Sequence, residues 1–270
     1  MLTLSEIWIY PIKSLGGISL QEANMTERGL QNDRRWLLVD EAGVFITQRQ
    51  YSQLALFSVQ LEAEHLLVTN RNTMDTLRFS CADYSEKQVS VQVWDDTILA
   101  NEVSEVCSHW FTEQLQMHVR LVYMPDSSKR LVDSRYAQTP NDITSFSDGY
   151  PFLLIGQSSL DDLNTRLENP VEINRFRPNL VVTGALPYQE EAWYEFEVGA
   201  VQFWGVKPCS RCILITVDPH TGEKPSKEPL LTLSKYRKVG NKVLFGQNVI
   251  AKTLGLLRVG DTLAVHSQLV

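Results

Sequence analysis

Short segments of alternating apolar and polar residues, separated by turn residues, dominate this 270-residue chain. Residues 2–9 alternate as a half-buried strand does, and the segments 36–39 and 44–47 flank an Asp-Glu-Ala-Gly turn that predicts a β-hairpin. Many short strands with few helices predict a mainly β fold with some α (α+β), built from barrel-like sheets and not doubly wound. The other predicted strands lie near 54–62, 65–69, 88–99, 118–124, 179–183, 194–206, 213–217 and 261–265.

Three helices are predicted from capping residues and from apolar residues at helical spacing. The first covers about 102–116, the second begins at Ser158 or Ser159, and the third lies near 229–237 and starts at Pro229. The polar stretch 125–147 is predicted to be a loop, so we divide the chain into domains at 1–122 and 123–268. The apolar face of the first helix consists of Val103, Val106, Cys107, Trp110, Phe111 and Leu115.

Composition narrows the class of protein. A net charge of −7 argues against binding to a nucleic-acid polymer or to an anionic membrane. Because no apolar run approaches the roughly 20 residues that span a bilayer, no membrane location is expected. The start lacks the basic segment of a signal peptide, and four cysteines do not make a disulfide framework. We therefore expect a cytoplasmic protein.

Two of the four cysteines lie three residues apart, in the segment Lys-Pro-Cys-Ser-Arg-Cys at 207–212. Neighbouring cations favour the thiolate, which is the form that attacks, carries sulfur or binds a metal. A zinc site would need a second ligand pair, whereas Cys81 and Cys107 are isolated. A redox pair would normally precede a helix, and here an apolar β-branched run follows. The spacing alone leaves a soft metal, sulfur transfer and a redox disulfide open.

Three basic motifs accompany this pair: Tyr-Pro-Ile-Lys-Ser at 10–14, Asp-Arg-Arg-Trp at 33–36, and Asn-Arg-Phe-Arg-Pro-Asn at 174–179. Arginine forks bind phosphate and planar heterocycles through paired hydrogen bonds. Each motif alone is compatible with ordinary surface charge. Together with the cysteine pair, they predict an anionic, phosphate-bearing ligand close to a thiolate.

These motifs, with Thr-Gln-Arg-Gln at 47–50, Phe-Ser-Asp-Gly-Tyr-Pro at 146–151 and Phe-Gly-Gln-Asn at 245–248, occur in an order that resembles the MOSC-domain family. The resemblance extends from residue 3 to residue 265. Within the family, the chain is most similar to bacterial relatives of the mitochondrial amidoxime reducing component. The resemblance implies an N-terminal β-barrel-like domain packed against a MOSC β-barrel domain.

The resemblance also implies a site for the molybdenum cofactor, Mo-molybdopterin. By position in the motif, the metal ligand and catalytic residue is Cys212, while Cys209 does not bind the metal. Asp148 matches an acidic position near the metal and is the second expected catalytic residue. The expected cofactor-binding residues are Lys13, Ser14, Arg34, Arg177, Asn179, Ser210 and Arg211.

The implied reaction is the two-electron reduction of small N-hydroxylated compounds, such as N-hydroxylated bases and amidoximes. The chain has no C-x4-C-x2-C run for an iron–sulfur cluster, so electrons are expected from a ferredoxin-type or flavoprotein partner, or from a further domain. Pyridoxal phosphate is not expected. Two other functions stay open: a sulfur or molybdenum-cofactor carrier that uses a cysteine persulfide, and a non-catalytic cofactor-binding module.

Overall fold

The structure, a computed structural model that describes residues 1–269, contains far more strand than helix. The α-helices are α1 (Glu105–Leu115), α2 (Gln157–Asn164) and α3 (Leu230–Tyr236). Across residues 1–269, none of the helices combines the length and the apolar character needed to cross a bilayer. The strands up to Tyr123 are β1 (Leu2–Ile9), β2 (Ile18–Leu20), β3 (Glu22–Thr26), β4 (Gly29–Leu30), β5 (Trp36–Val39), β6 (Phe57–Glu62), β7 (His65–Asn70), β8 (Thr76–Ser80), β9 (Gln88–Val93), β10 (Asp96–Glu102) and β11 (Arg120–Tyr123).

The strands after Tyr123 are β12 (Arg130–Leu131), β13 (Ile143–Thr144), β14 (Phe152–Gly156), β15 (Leu180–Thr183), β16 (Trp193–Val198), β17 (Val201–Arg211), β18 (Lys238–Val239), β19 (Lys242–Ala251), β20 (Leu256–Arg258) and β21 (Thr262–Gln268).

A closed barrel of seven strands is the largest unit of the fold. Its strands follow the order β14, β15, β1, β21, β16, β17 and β19, and β19 pairs back with β14 to close the ring. Phe196 and Phe203 stack inside it with ring centroids 5.4 Å apart, beside the fully buried Trp193.

The sheets of the first half are smaller and pack around α1. One has the order β5–β11–β10–β9, and the other has the order β6–β7–β8. The Ser104 side chain caps α1 by accepting a hydrogen bond from the Cys107 amide at 3.1 Å. The apolar face of the helix then covers a core that includes Trp36 and Phe57. The predicted α+β class with barrel-like sheets is therefore confirmed, although Val106, predicted on the buried face, is 73% exposed.

The first strand belongs to the barrel and not to the sheets that follow it in the chain. β1 pairs with β15 on one side and with β21 on the other. The next strand in sequence, β2, pairs only with β1 and is not part of the closed ring. The segment 10–14 therefore leaves the barrel directly at the place where both halves meet. The division of the chain at residue 122 stays a prediction, with the qualification that β1 pairs with β15 and β21 across it and that β3 pairs with β20.

Several predicted strands take another form in the structure. Residues 213–216 form a turn of 3-10 helix, because the chain leaves the barrel after β17, and the Ile215 amide bonds back to the Cys212 carbonyl. The predicted strands 88–99 and 194–206 are each a hairpin, and 44–47 makes only isolated bridges. Helix α2 begins at Gln157, ahead of its predicted serine cap. The ten-residue strand β19 was not predicted, because Gly246 and the buried Gln247 interrupt its apolar pattern.

The predicted loop 125–147 contains the small sheet β12–β13 and is fastened by Arg130. This side chain is almost fully buried and donates to the carbonyl oxygens of Ser145, Ser147 and Asp148. Its Nε also donates to the Asp96 carboxylate at 2.7 Å. One guanidinium thus fixes the backbone of residues 145–148, which lead into the cavity described below.

Replacing Arg130 with methionine should lower the free energy of unfolding by about 3 kcal/mol, because the carbonyls of Ser145, Ser147 and Asp148 and the Asp96 carboxylate all lose their donor. Urea denaturation measures the change. Arg135→Ala, which removes an exposed pair with Asp133, is the control and should leave the unfolding curve unchanged. Equal curves for wild type and Arg130→Met would show that Arg130 does not hold this segment.

Candidate functional site

All the residues that the sequence predicted to be functional line one cavity. It contains about 810 Å³ of empty space, part of which is open to solvent. It lies where the open end of β17 meets the segments after β1 and before β5. The predicted residues that line it are Lys13, Ser14, Arg34, Asp148, Arg177, Asn179, Ser210, Arg211 and Cys212.

The cysteine motif lies opposite a β-bulge. Pro208 pairs with Gln247 and Ser210 pairs with Leu244, so Cys209 alone faces two residues of β19. One of these two is Gly246, whose φ of 82° suits a bulge residue without a side chain. The extra residue therefore lies in β19, where it bends the strand and increases the local twist, and the segment 209–212 opposite the bulge lines the cavity.

Three of the cationic or polar lining residues have left-handed backbone conformations. The φ angles are 71° at Ser14, 48° at Arg34 and 57° at Arg177. Non-glycine residues adopt this conformation at a cost, and such residues concentrate at functional sites. The surrounding packing thus holds each of these three in a conformation that its own backbone preference does not favour.

The Tyr10 ring makes cation–π contacts with both Arg34 and Arg177. The guanidinium carbons of Arg34 and Arg177 lie 4.4 Å and 4.1 Å from the centre of the ring. Burial raises the pKa of the Tyr10 hydroxyl, which therefore stays neutral. Burial also lowers the pKa of Arg177 to about 10, so this guanidinium is still charged at neutral pH. Cation–π attraction thereby offsets part of the repulsion between the two cations.

Arg34 is also held by hydrogen bonds. It donates to the Asp33 carboxylate at 2.7 Å, to Asn179 Oδ1 at 2.9 Å and to the Arg177 carbonyl at 3.1 Å. Asn179 in turn donates from Nδ2 to the Trp8 carbonyl at 3.1 Å. Both ends of the Asn179 side chain therefore hold the cavity wall together and position Arg34.

Lys13 and Asp148 form an ion pair at the mouth of the cavity, with 2.6 Å between Nζ and Oδ1. The Lys13 side chain is 8% exposed and that of Asp148 is 61% exposed, so solvent screens the pair from one side only. Burial lowers the pKa of Lys13 to about 8, against the attraction of Asp148. Desolvation raises the pKa of the Asp148 carboxyl, but the charges of Lys13 and Arg49 outweigh it and keep the pKa below its ordinary value.

Arg211 connects the cysteine motif to the cavity wall through two hydrogen bonds. It donates from Nη1 to Cys209 Sγ at 3.2 Å and from Nη2 to the Phe176 carbonyl at 2.6 Å. Burial raises the pKa of the Cys209 thiol, and Arg211 opposes this shift only in part. Cys212 is half-buried, caps the 3-10 helix that follows it, and lines the cavity.

Sequence reasoning did not assign some residues that the structure brings to the cavity. Arg49 and Asn248 line it, and both stand in motifs that carried the family resemblance. Tyr10, which begins the first basic motif, could have been found as the aromatic partner of the arginines. Other members of the same motifs point elsewhere, since Arg35 pairs with Asp126 and Arg175 pairs with Asp218.

The donor set suits a phosphate-bearing heterocycle next to a soft metal. Five cationic side chains line the cavity against one carboxylate. The Arg211 Nε is buried without a hydrogen-bond partner, which leaves a donor for a ligand. Cys212 supplies a sulfur atom, the type of donor that soft metals prefer. The residues therefore fit the molybdenum cofactor that the sequence resemblance implies.

Comparison with known proteins gives the family. Residues 1–118 match the MOSC N-terminal beta barrel domain, and residues 141–264 match the MOSC domain. Mitochondrial amidoxime-reducing component 1 of Mus musculus is 35% identical over 284 residues, which cover 98% of this chain and 83% of that protein. Mitochondrial amidoxime reducing component 2 of Bos taurus is 36% identical, with 96% and 82% covered. The chain therefore belongs to the MOSC-domain family of the amidoxime-reducing components, a family of molybdenum-cofactor-associated reductases.

Proposed function

We propose that this protein binds the molybdenum cofactor in the cavity and reduces small N-hydroxylated compounds. The substrate R–NH–OH would take up two electrons and two protons and yield R–NH2 and water. The observation that carries the proposal is the convergence of Cys212 with five cationic side chains from distant parts of the chain. Family membership at about a third identity supports the reductase class.

The cationic side chains would bind and orient the cofactor. Arg34 and Arg177, fixed on the Tyr10 ring, would present guanidinium groups to its phosphate and its heterocycle. Arg211 would add a donor beside the cysteine motif, and the Cys212 thiolate would ligate the metal. When bound, the cofactor would supply the two-electron redox chemistry of the reaction.

Lys13 and Asp148 would transfer protons between solvent and the mouth of the cavity. The Lys13 ammonium holds a proton at neutral pH, and a pKa of about 8 lets it lose and regain that proton close to this pH. Asp148 stays ionised beside it and is open to solvent, so it connects the cavity to the source of protons. We further propose that a ferredoxin-type or flavoprotein donor supplies the electrons and that the protein works in the cytoplasm.

Replacing Cys212 with serine should lower the molybdenum content of the protein at least about tenfold, since even an outer-shell partner of a metal is worth 10- to 100-fold in affinity. The measurement is elemental analysis of protein expressed in a host that makes the cofactor. Wild type should carry close to one molybdenum per chain.

Cys209→Ser is the matched control, because it changes the same motif but leaves the proposed ligand, and it should keep its molybdenum. Full molybdenum content and turnover in Cys212→Ser would contradict the proposed ligand. A wild-type protein that holds the cofactor loosely and reduces no N-hydroxylated compound would instead favour the cofactor or sulfur carrier.

The cofactor-free protein should bind a phosphate monoester less tightly as the pH rises through about 8, because Lys13 then loses its charge. Methyl phosphate is a suitable probe, since with a second pKa of about 6 it stays a dianion over this range. Loss of one charged hydrogen bond predicts about a fivefold weaker affinity at pH 9 than at pH 7, and Arg177, with its pKa of about 10, stays charged over this range. Titration calorimetry measures the change.

Lys13→Gln should bind the probe weakly at both pH values and show no such decline. A decline of the same size in this variant would assign the pH dependence to another group.

A further inference from the structure

Trp94 occupies a position where a large side chain is unfavourable. It is the first of the two residues, Trp94 and Asp95, that turn β9 into β10, and its φ is 57°. Glycine usually takes the first position of a two-residue hairpin turn that has a positive φ there. The indole is also 41% exposed and contributes little to a core. The backbone conformation costs stability without a compensating gain in core packing, and such positions concentrate at functional sites.

The contacts of Trp94 bring the indole to the rim of the cavity. The guanidinium carbon of Arg49 lies 4.0 Å from the centre of the indole ring, and the Phe45 ring lies 5.2 Å away. The indole Nε1 is 3.4 Å from the Asp148 carboxylate oxygen and donates to it. Arg49 and Asp148 both line the cavity. We call Trp94 and Arg49 the rim stack.

The mouth carries further aromatic surface near Asp148. Tyr150 lines the cavity and meets Tyr136 edge to face, with 6.2 Å between the ring centres. Lys207 lies over Tyr136, with Nζ 4.3 Å from the centre of that ring. A substrate that enters past Asp148 therefore meets flat π surfaces and cations, and few hydrogen-bonding groups specific to one ring system.

We propose that the rim stack binds the planar part of an aromatic or heteroaromatic N-hydroxylated substrate and makes the protein prefer such compounds to small aliphatic ones. The inference rests on the proposed reductase function and adds the residues that select the substrate. Stacking depends on a flat π face and tolerates different ring substituents. The rim stack would thus accept several ring systems while it disfavours compounds without a ring.

The test compares kcat/KM for N-hydroxycytosine and for acetamidoxime, with the cofactor-loaded protein and a chemical electron donor. Trp94→Gly should lose about tenfold on N-hydroxycytosine, as expected for one lost stacking contact, and change less than about twofold on acetamidoxime. Trp94→Phe should retain most of the preference. Trp204→Ala, which removes another indole under a lysine but outside the cavity, is the control and should keep the wild-type ratio.

Glycine is compatible with the positive φ at this turn, so Trp94→Gly should melt close to the wild-type temperature. An unchanged ratio of the two kcat/KM values in Trp94→Gly would overturn the inference, and so would an equal loss on both substrates. If the glycine variant is unstable, the binding measurement described next decides.

Binding without turnover separates this inference from the proposed function. Cytosine should quench part of the tryptophan fluorescence of the wild-type protein, and this part should be missing in Trp94→Phe. If wild type reduces neither substrate but shows the Trp94-dependent quenching, the proposed function fails and the stacking surface stands. Equal quenching in both proteins would refute the stacking surface.

Discussion

Repulsion between like charges in a partly buried cavity is the constraint on which this structure depends. Five cations share the cavity with one carboxylate, and each of them needs support from elsewhere. Arg34 and Arg177 obtain it from the Tyr10 ring and from Asp33 and backbone carbonyls, and Lys13 obtains it from Asp148. Such a concentration of positive charge lowers the stability of the ligand-free protein. An anionic ligand reduces the repulsion, so the arrangement that costs stability also increases the affinity for an anion.

The fold supplies that support from parts of the chain that are far apart in sequence. The ends of β1, β15 and β17 converge because the barrel closes, and the cysteine motif lines the cavity opposite the bulge in β19. The half with the smaller sheets contributes the rim, through Arg49 and the β9–β10 turn, while Arg130 secures the segment that carries Asp148. The ends of the barrel strands thus hold most of the proposed cofactor-binding residues, whereas Arg34 and much of the mouth come from the other half.

The local patterns predicted the class of fold and the residues of the cavity well. They predicted the individual strands and turns less well. Alternation in 2–9 and the motifs around Lys13, Arg34, Arg177 and Cys212 were sufficient, because each motif keeps its residues within six consecutive positions of the chain. The strand β19 escaped prediction because Gly246 and a buried Gln247 break its period, and residues 213–216 were misassigned because an apolar run does not distinguish a strand from a tight helical turn. The roles of Tyr10, Arg49 and Trp94 depend on contacts between distant segments, which a single sequence does not display.

The position of β1 has a consequence for how the protein is made. Its barrel partners β15 and β21 lie about 170 and 260 residues further along the chain, so β1 can pair only with the short β2 until those strands have been synthesised. The smaller sheets around α1 have their partners close in sequence and can form first. Lys13 and Ser14 follow β1 directly, and they reach the cysteine motif only when the ring closes. Assembly of the cavity is therefore a late event in folding, and a ligand that needs both Lys13 and the cysteine motif can bind only after β21 has joined the ring.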